Sequence, residues 1–203
     1  MELFFVTTNS GKVRTVQECL KKMGLPVMVK QHTMKLTEIQ ANDAEEISRA
    51  KAREAFAELK APLIVEDSGF HINALNGFPG VYARYLLDTI GSEGIIKMME
   101  GVPDRSCKFI AVTTFIDGSG KLISFRDAEG KGVIAKKKDE THNPLAWSDL
   151  WRIYIPEGLN KTLSALTEEE SNKHYNGAGK KKGSLFLFAE WLSKNLDCLE
   201  YNK

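Results

Sequence analysis

The sequence predicts an α/β fold in which a mixed β-sheet is flanked by helices. Short apolar stretches at residues 3–7 and 62–66 have the length and composition of buried strands. Residues 12–23 and 43–60 place apolar side chains at helical spacing between these strands. The motif Asp117-Gly118-Ser119-Gly120 separates two further apolar stretches and is typical of an antiparallel hairpin. Strands that alternate with helices, followed by strands joined by a hairpin, predict a sheet of mixed direction.

The remaining elements follow from the same periodicities. In the first half we expect strands at residues 3–7, 27–30 and 62–66, helices at 12–23 and 43–60, and a short helix over 78–88 that begins at Pro79. In the second half we expect a helix at 92–100, strands at 108–116, 121–125, 132–135 and 152–155, and a closing helix at 181–196. The chain shows no internal repeat and no linker, so residues 1–203 are expected to form a single domain.

The composition excludes several classes of protein. The 203 residues can bury a core without disulfides, and the 28 basic and 27 acidic side chains nearly cancel. The three cysteines are far apart, which excludes a disulfide framework and favours a reduced, cytoplasmic location. No apolar stretch approaches the ~20 residues of a membrane span, and residues 3–6 are too few for a signal sequence. Lysine runs at 136–138 and 180–182 lack interleaved aromatic residues, so we expect solvated surface and no nucleic-acid partner.

The segment Thr7-Thr8-Asn9-Ser10-Gly11-Lys12 is a candidate phosphate-binding loop. It directly follows the first strand and leads into a helix, whose first amide groups can bind an anion. Lys12 adds a positive charge to the loop. The same residues also fit an ordinary helix N-cap with a solvated lysine in its first turn, and the pattern alone leaves both interpretations open.

The segment Val65-Glu66-Asp67-Ser68-Gly69-Phe70 is a candidate metal-binding segment. It places two adjacent carboxylates on an expected tight turn after the strand at 62–66. Magnesium prefers carboxylate oxygens and keeps water or phosphate as its other ligands. Because Asp, Ser and Gly also favour an ordinary turn, this alternative stays open. Together the two segments predict a site for a nucleoside polyphosphate and Mg²⁺ at the strand ends.

A third segment makes the sequence similar to a known family. Residues 74–85 read ALNGFPGVYARY and follow the Asp67-Ser68-Gly69 motif after a few residues. With Thr7, Asn9 and Lys12, and with Glu38-Ile39-Gln40 before the second helix, these motifs resemble the inosine/xanthosine triphosphate pyrophosphatase (ITPase) family. Residues 155–158, 161–162 and 168–170 keep the order of later family motifs. The resemblance spans nearly the whole chain and is more specific in the first half.

The resemblance implies an elongated mixed sheet in two lobes with a central cleft, and a homodimer. It implies Mg²⁺-dependent hydrolysis of deaminated purine nucleoside triphosphates to the monophosphate and pyrophosphate. Glu38, Glu66 and Asp67 would hold the metal or its waters, and Asp67 and Lys12 would be catalytic. The residues that would bind substrate are Thr8, Asn9, Lys51, Ser68, Gly69, Arg84, Trp151 and His174. Lys51 also fits a solvent-facing position on a highly charged helix.

The second half departs from the family where the base is recognised. Counted back from Pro156, Trp151 stands at the position of the family's aspartate, which Asp149 reaches only with a shift of two residues. The ungapped positions of the family's lysine, histidine and arginine are held by Ser171, Asn176 and Gly177. A slip of two residues brings His174 to the histidine position.

Three hypotheses of function remain. The chain is an active nucleoside triphosphate pyrophosphatase, or it binds nucleotides in the same fold with altered base choice and little turnover. In the third hypothesis the lysine runs bind nucleic acid, which the balanced net charge disfavours.

Overall fold

The computed structural model describes residues 2–128, 130–144, 146, 148–176 and 183–196, with the side chains of residues 172, 175 and 176 outside this description. The strands are β1 Glu2–Val6, β2 Met28–His32, β3 Leu63–Ile72, β4 Pro79–Gly80, β5 Ser106–Ile116, β6 Leu122–Asp127, β7 Lys131–Ile134 and β8 Tyr154–Pro156. The helices are α1 Ser10–Lys22, α2 Ala44–Leu59, α3 Ala83–Thr89, α4 Gly91–Met98, α5 Glu168–Asn176 and α6 Ser184–Lys194. No helix among these residues is long and apolar enough to cross a membrane.

The strands of the described residues form a mixed sheet, as predicted. Hydrogen bonds link six of them in the order β2-β1-β3-β5-β7-β8, while β4 pairs with β3 and β6 pairs with β5. β1 is parallel to β2 and β3, whereas β5 is antiparallel to β6 and β7. The predicted hairpin joins β5 to β6, and the Asp117 side chain accepts the amide hydrogens of Ser119 and Lys121 in its turn.

Contacts between residues divide the chain into two compact units. The first unit comprises the described residues within 1–68, 111–127 and 182–203, and the second comprises those within 69–110 and 128–181. This division does not test whether the two units belong to one domain, so the single domain over residues 1–203 stays a prediction.

In the first unit, the side chains of neighbouring strands alternate between two apolar clusters. Leu3 and Phe5 of β1 and Ile64 of β3 pack with α1 and α6 in one cluster. Val6 of β1 and Val65 of β3 pack with α2 in the other. Because successive side chains of a strand point to opposite faces of a sheet, α1 and α2 cover opposite faces of β1 and β3. The same alternation places the next two residues of β3, Glu66 and Asp67, on opposite faces of the sheet.

The second unit has its own apolar core, in which aromatic rings pack among aliphatic side chains. The ring centroids of Phe70 and Phe109 lie 4.8 Å apart, and those of Phe109 and Tyr154 lie 5.2 Å apart. Trp151 belongs to the same core and is 5 % exposed, beside residues such as Ile95 of α4. Each aromatic side chain buries a large apolar area, so these rings add to the packing of a core that is otherwise aliphatic.

β3 is longer than predicted, and the expectation of a tight turn at its acidic residues is wrong. The strand continues through Glu66-Asp67-Ser68-Gly69 to Ile72. Gly69, which suggested a turn, lies in the strand at a position with no room for a side chain. A Cβ at Gly69 would lie 2.7 Å from the carbonyl carbon of Gly80 and 2.8 Å from its oxygen. Phe70 pairs with Gly80 in the β3–β4 ladder. A glycine is therefore needed where the β4 backbone approaches β3.

One further expectation differs from the structure, and one helix was not expected. Pro79 lies in β4, and the helix expected to begin there begins at Ala83. The acidic residues that follow Thr167 form α5, which was not predicted because they lack apolar spacing. The signal was a capping box, since Thr167 Oγ1 accepts the Glu170 N–H at 3.2 Å and Glu170 Oε2 accepts the Thr167 N–H at 2.8 Å.

We expect Gly69→Ala to destabilise the fold by about 1–3 kcal/mol, the usual range for overpacking. The added methyl group would overlap the backbone of Gly80, which cannot rotate away as a flexible side chain can. Urea unfolding measures the change, with Ser68→Ala at the exposed neighbouring position as the matched control. An unchanged unfolding midpoint in Gly69→Ala would contradict the close approach of the two strands.

Candidate active site

The loop between β1 and α1 is built around a helix N-cap. Asn9 precedes α1, and its Oδ1 accepts the Lys12 backbone N–H at 3.2 Å. Thr7 Oγ1 in turn accepts the Asn9 N–H at 3.1 Å. A Cβ at Gly11 would lie only 3.1 Å from Asn9 Oδ1, so the glycine leaves room for the cap. The N-cap interpretation is confirmed, and the positive end of α1 lies at the carboxyl end of β1, where an anion can bind.

Lys12 is held in an ion pair, in contrast to the solvated lysine of the alternative interpretation. Its Nζ lies 3.0 Å from Oε2 of Glu66, whose side chain is 8 % exposed. A carboxylate this buried requires an opposite charge nearby. Lys12 therefore serves as the counter-ion of Glu66, and the ion pair holds its ammonium group beside the start of α1.

Lys51 on α2 contacts two of the other predicted residues. Its Nζ lies 2.7 Å from Oε1 of Glu38 and 2.5 Å from Oδ2 of Asp67. Burial alone would lower the pKa of Lys51, but the charges and hydrogen bonds of Asp67 and Glu38 outweigh it, so this pKa is raised above its ordinary value. The ammonium group is charged at neutral pH, and Lys51 is not the solvent-facing residue of the alternative interpretation.

The alternation along β3 divides the three predicted metal ligands into two groups. Glu66 and Asp67 are neighbours on a strand, so they point to opposite faces of the sheet. Glu66 faces Lys12 of α1, whereas Asp67 faces Lys51 of α2 and shares that lysine with Glu38. Among the residues that the structure describes, no three His, Cys, Asp or Glu side chains lie close enough to hold a metal by themselves.

Glu38 and Asp67 have the chemistry of a magnesium site. Both carboxylates bond to one ammonium group, so their oxygens converge and their combined charge exceeds that of Lys51. Mg²⁺ is commonly held by one or two carboxylates, with water and phosphate as its other ligands. Two carboxylates are therefore enough to fit the ion. The predicted role of Glu66 as a third ligand receives no support from this arrangement.

Asp67 is fixed at both of its carboxylate oxygens. Oδ2 contacts Lys51, and Oδ1 accepts the backbone N–H of Ser68 at 3.0 Å. Two charge-assisted contacts restrain the direction of the carboxylate as well as its position. Ser68 itself is exposed on β3, and Thr8 is exposed in the loop before α1.

The second unit contains the other predicted residues, which lie on β3, α3, α5 and a 3₁₀ helix at Asp149–Arg152. Gly69 is on β3 beside β4, and Arg84 on α3 is 89 % exposed, with its Nε 3.2 Å from Asp88 Oδ2. His174 is half-buried on α5. Trp151 lies in the apolar core, so it would have to leave that core to stack on a base.

Asp149, the alternative to Trp151 for the family's aspartate, contacts the start of α4. Its Oδ2 accepts the Ser92 backbone N–H at 3.2 Å and the hydroxyl hydrogen of the same residue, and its Oδ1 lies 3.8 Å from Nη1 of Arg152. Burial opposes ionisation, but the hydrogen bonds from Ser92 and the charges of Lys138 and Arg152 outweigh it and lower the pKa of Asp149. The carboxylate therefore caps α4 in its ionised form.

Asp149 also lines a cavity of about 350 Å³. His142, Asn143 and Arg152 also belong to its lining. Asp149, Asn143 and Arg152 already form hydrogen bonds within the protein, so this lining does not by itself indicate a ligand.

Ser171 occupies the ungapped position of the family's lysine. It lies on α5 and is 2 % exposed, and its Oγ has no hydrogen-bond partner among the described residues. The position is therefore buried and uncharged. Gly177 and the lysine run at 180–182 lie outside the described residues, as does the side chain of Asn176.

Glu54 of α2 also contacts the segment that carries Glu38, although the sequence did not predict a role for it. Its carboxylate accepts hydrogen bonds from the backbone and the hydroxyl group of Thr37, at 2.9 and 3.1 Å. The available signal was its spacing, because residues three apart on a helix lie on the same side, and Glu54 follows Lys51 by three positions.

The mixed sheet, the start of α1 after β1 and the charged residues within β3 define an α/β protein with a candidate site for an anion and a cation. Residues 3–176 match the Ham1 family, and the chain belongs to that family. It is 36 % identical over 200 residues to the dITP/XTP pyrophosphatase of Methanopyrus kandleri, and the aligned region covers 97 % of this chain and 98 % of that protein. It is 39 % identical over 197 residues to the dITP/XTP pyrophosphatase of Pyrococcus horikoshii, and the aligned region covers 97 % of this chain and 99 % of that protein. The Ham1 protein structure from Staphylococcus aureus matches with a TM-score of 0.72 at 20 % identity, over 96 % of this chain and 100 % of that chain.

These comparisons confirm two predictions made from the sequence. The family match confirms the resemblance recognised in the motifs, and the structural match confirms the α/β fold class.

Proposed function

We propose that this protein is a nucleoside triphosphate pyrophosphatase that uses Mg²⁺ to hydrolyse (d)ITP and XTP to the monophosphate and pyrophosphate. The observation that carries the proposal is the pair of ammonium groups, Lys12 and Lys51, which carboxylates of β3 hold close to the sheet. Phosphoryl chemistry depends mainly on positioning and on neutralising phosphate charge, which such groups supply. The two relatives named above are called dITP/XTP pyrophosphatases.

The start of α1 and Lys12 would bind the triphosphate. The first amide groups of the helix have no partners within the helix and favour an anion. Lys12 is only partly buried, so its ammonium group can contact Glu66 and a phosphate oxygen at the same time. Asn9 uses its Oδ1 for the N-cap, so its contribution is to shape the loop.

Glu38 and Asp67 would hold Mg²⁺, which supplies charge neutralisation and polarises the phosphoryl group when it is bound. Asp67 would also orient the attacking water by accepting one of its hydrogen bonds. The water oxygen would form a bond to the α-phosphorus while one of its protons passes to the Asp67 carboxylate, and the bond from that phosphorus to the bridging oxygen would break. Pyrophosphate leaves with the bridging oxygen. The contacts of Asp67 with Lys51 and Ser68 keep the carboxylate oriented for this role.

A second candidate function is nucleotide binding with little turnover. Ser171 favours it, because an uncharged, buried side chain stands where the family carries a lysine. A protein that keeps the phosphate loop but lacks one charge can retain affinity while it loses stabilisation of the transition state.

Pyrophosphate release from ITP, dITP, XTP, GTP and ATP separates the two functions. We expect release from the deaminated substrates in the presence of Mg²⁺ and none after chelation. Nucleotide binding in calorimetry without pyrophosphate release would support the second function. Absence of both binding and release would contradict both functions.

We expect the preference for ITP and XTP over GTP and ATP to be less than ~100-fold, because larger ratios need buried hydrogen-bond groups that a wrong base leaves unpaired. Trp151 has a single N–H group in place of a carboxylate, and its side chain lies in the apolar core. Values of kcat/KM measured side by side for the four nucleotides give the ratio. A preference above ~100-fold would instead assign base recognition to Asp149 and His174.

We further propose that the protein is a cytoplasmic homodimer that does not bind nucleic acid. The family resemblance supports the dimer, and the near balance of 28 basic and 27 acidic side chains supports the absence of a nucleic-acid partner. Sedimentation equilibrium measures the oligomeric state, and a monomer at micromolar concentration would contradict the dimer.

A further inference from the structure

Residues 33–42 carry Glu38 without the support of a helix or a strand. Met34 and Leu36 anchor the start of this segment, because both pack against the apolar cluster under α2. Ala41 is buried near its end. Glu38 itself is 77 % exposed, so apolar packing does not fix its side chain. Its position must therefore be set by polar contacts.

Two side chains of α2 supply these polar contacts. Lys51 Nζ lies 2.7 Å from Glu38 Oε1. One helical turn further on, Glu54 Oε2 accepts the Thr37 backbone N–H at 2.9 Å and Oε1 accepts the Thr37 hydroxyl hydrogen at 3.1 Å. Both oxygens of one carboxylate are thus bonded to the residue that precedes Glu38. Such a bidentate contact restrains direction as well as distance.

The contact of Lys51 with Glu38 and the contact of Glu54 with Thr37 differ in their dependence on the other charges of the site. Lys51 is shared between Glu38 and Asp67, so a cation or a phosphate group that enters the site competes for the same charges. The contact between Glu54 and Thr37 involves neither the lysine nor the predicted metal ligands. It therefore does not depend on the charge of Lys51 or of the predicted metal ligands.

We propose that Glu54 is a positioning residue that holds Glu38, through the backbone of Thr37, in the orientation that faces Lys51 and Asp67. The inference rests on the proposed function, because it assumes that Glu38 acts in that reaction. Glu54 is half-buried on α2, and its helix is fixed by the buried residues Ala52 and Ala55. A side chain of a packed helix thus restrains a segment that has no regular secondary structure of its own.

Two substitutions of Glu54 test the proposal. Glu54→Ala removes both contacts, whereas Glu54→Gln keeps them, because its amide oxygen can accept the Thr37 N–H and its NH₂ can donate to the hydroxyl oxygen. We expect Glu54→Ala to raise the Mg²⁺ concentration for half-maximal rate about tenfold, as loss of hydrogen bonds to a charged group predicts. Glu54→Gln should behave like wild type. The matched control is Glu58→Ala, which makes the same change at an exposed position of α2.

A double-mutant cycle separates positioning from general stability. In a Glu38→Ala background, Glu54→Ala should have no further effect on the Mg²⁺ dependence, because the two changes act on one interaction. Additive effects, or wild-type Mg²⁺ dependence of Glu54→Ala alone, would overturn the inference. Thr37→Val, which removes the hydroxyl contact without altering α2, should give a smaller change in the same direction if Glu54→Ala does not fold.

Hydrogen exchange provides a readout that does not depend on turnover. The Thr37 amide should exchange faster in Glu54→Ala than in wild type and recover its protection in Glu54→Gln. If the wild type hydrolyses no triphosphate, the proposed function fails and exchange alone decides the inference. Unchanged protection of the Thr37 amide in Glu54→Ala would then overturn it.

Discussion

Asp67→Asn is expected to lower kcat by about 10³-fold or more, the range for loss of a general base or of a preorganised charge. The asparagine keeps the size of the side chain and can still accept the Ser68 N–H, but it removes the charge that faces Lys51. It also presents a neutral amide to Mg²⁺ in place of a carboxylate oxygen. Pyrophosphate release under saturating ITP and Mg²⁺ measures the effect.

The fold of Asp67→Asn should persist, because Lys51 keeps Glu38 as a partner. A thermal midpoint within a few degrees of wild type would verify this. Glu18→Gln, at an exposed position of α1, is the control for loss of a carboxylate outside the site. If Asp67→Asn turned over at the wild-type rate, Asp67 would have a structural role only.

Lys12→Ala is expected to lower kcat/KM by at least ~100-fold, the scale of a preorganised charged donor in the transition state. The structure adds a second effect, because the substitution leaves the carboxylate of Glu66 buried without its counter-ion. We therefore expect a loss of about 1–3 kcal/mol in the free energy of unfolding as well. Steady-state kinetics and urea unfolding measure the two effects separately.

The double variant Lys12→Ala/Glu66→Gln separates these two roles. It removes the uncompensated charge, so stability should recover while kcat/KM stays low. Glu66→Gln alone supplies the baseline, and Lys22→Ala in the last turn of α1 controls for loss of an exposed lysine. Recovery of both stability and activity in the double variant would reduce Lys12 to a counter-ion.

Local sequence signals were sufficient where the local chain determines the element. The helix expected at residues 43–60 is α2, which begins after the N-cap Asp43 and ends before Lys60 in the left-handed conformation. β3 was cut short because Asp, Ser and Gly favour turns. The reason that Gly69 lies in a strand is the approach of Gly80, a contact that no local propensity contains.

The residue types of the site were readable from the sequence, but their pairing was not. Because the turn expected after residue 66 obscured the alternation of β3, Glu66 and Asp67 were assigned to one metal site. The contact of Thr37 with Glu54 spans 17 residues across an irregular segment, whose path follows from packing and not from periodicity.

The alternation of β3 also constrains how this stretch can change in length. An insertion or deletion of one residue between Leu63 and Glu66 would exchange the sides of the two carboxylates, so that each would lose its lysine. A change of two residues would restore the sides but shift both charges by about 7 Å along the strand. Homologues that retain Lys12 and Lys51 should therefore show no gaps in this stretch, whereas the hairpin at Gly118-Ser119 can vary in length.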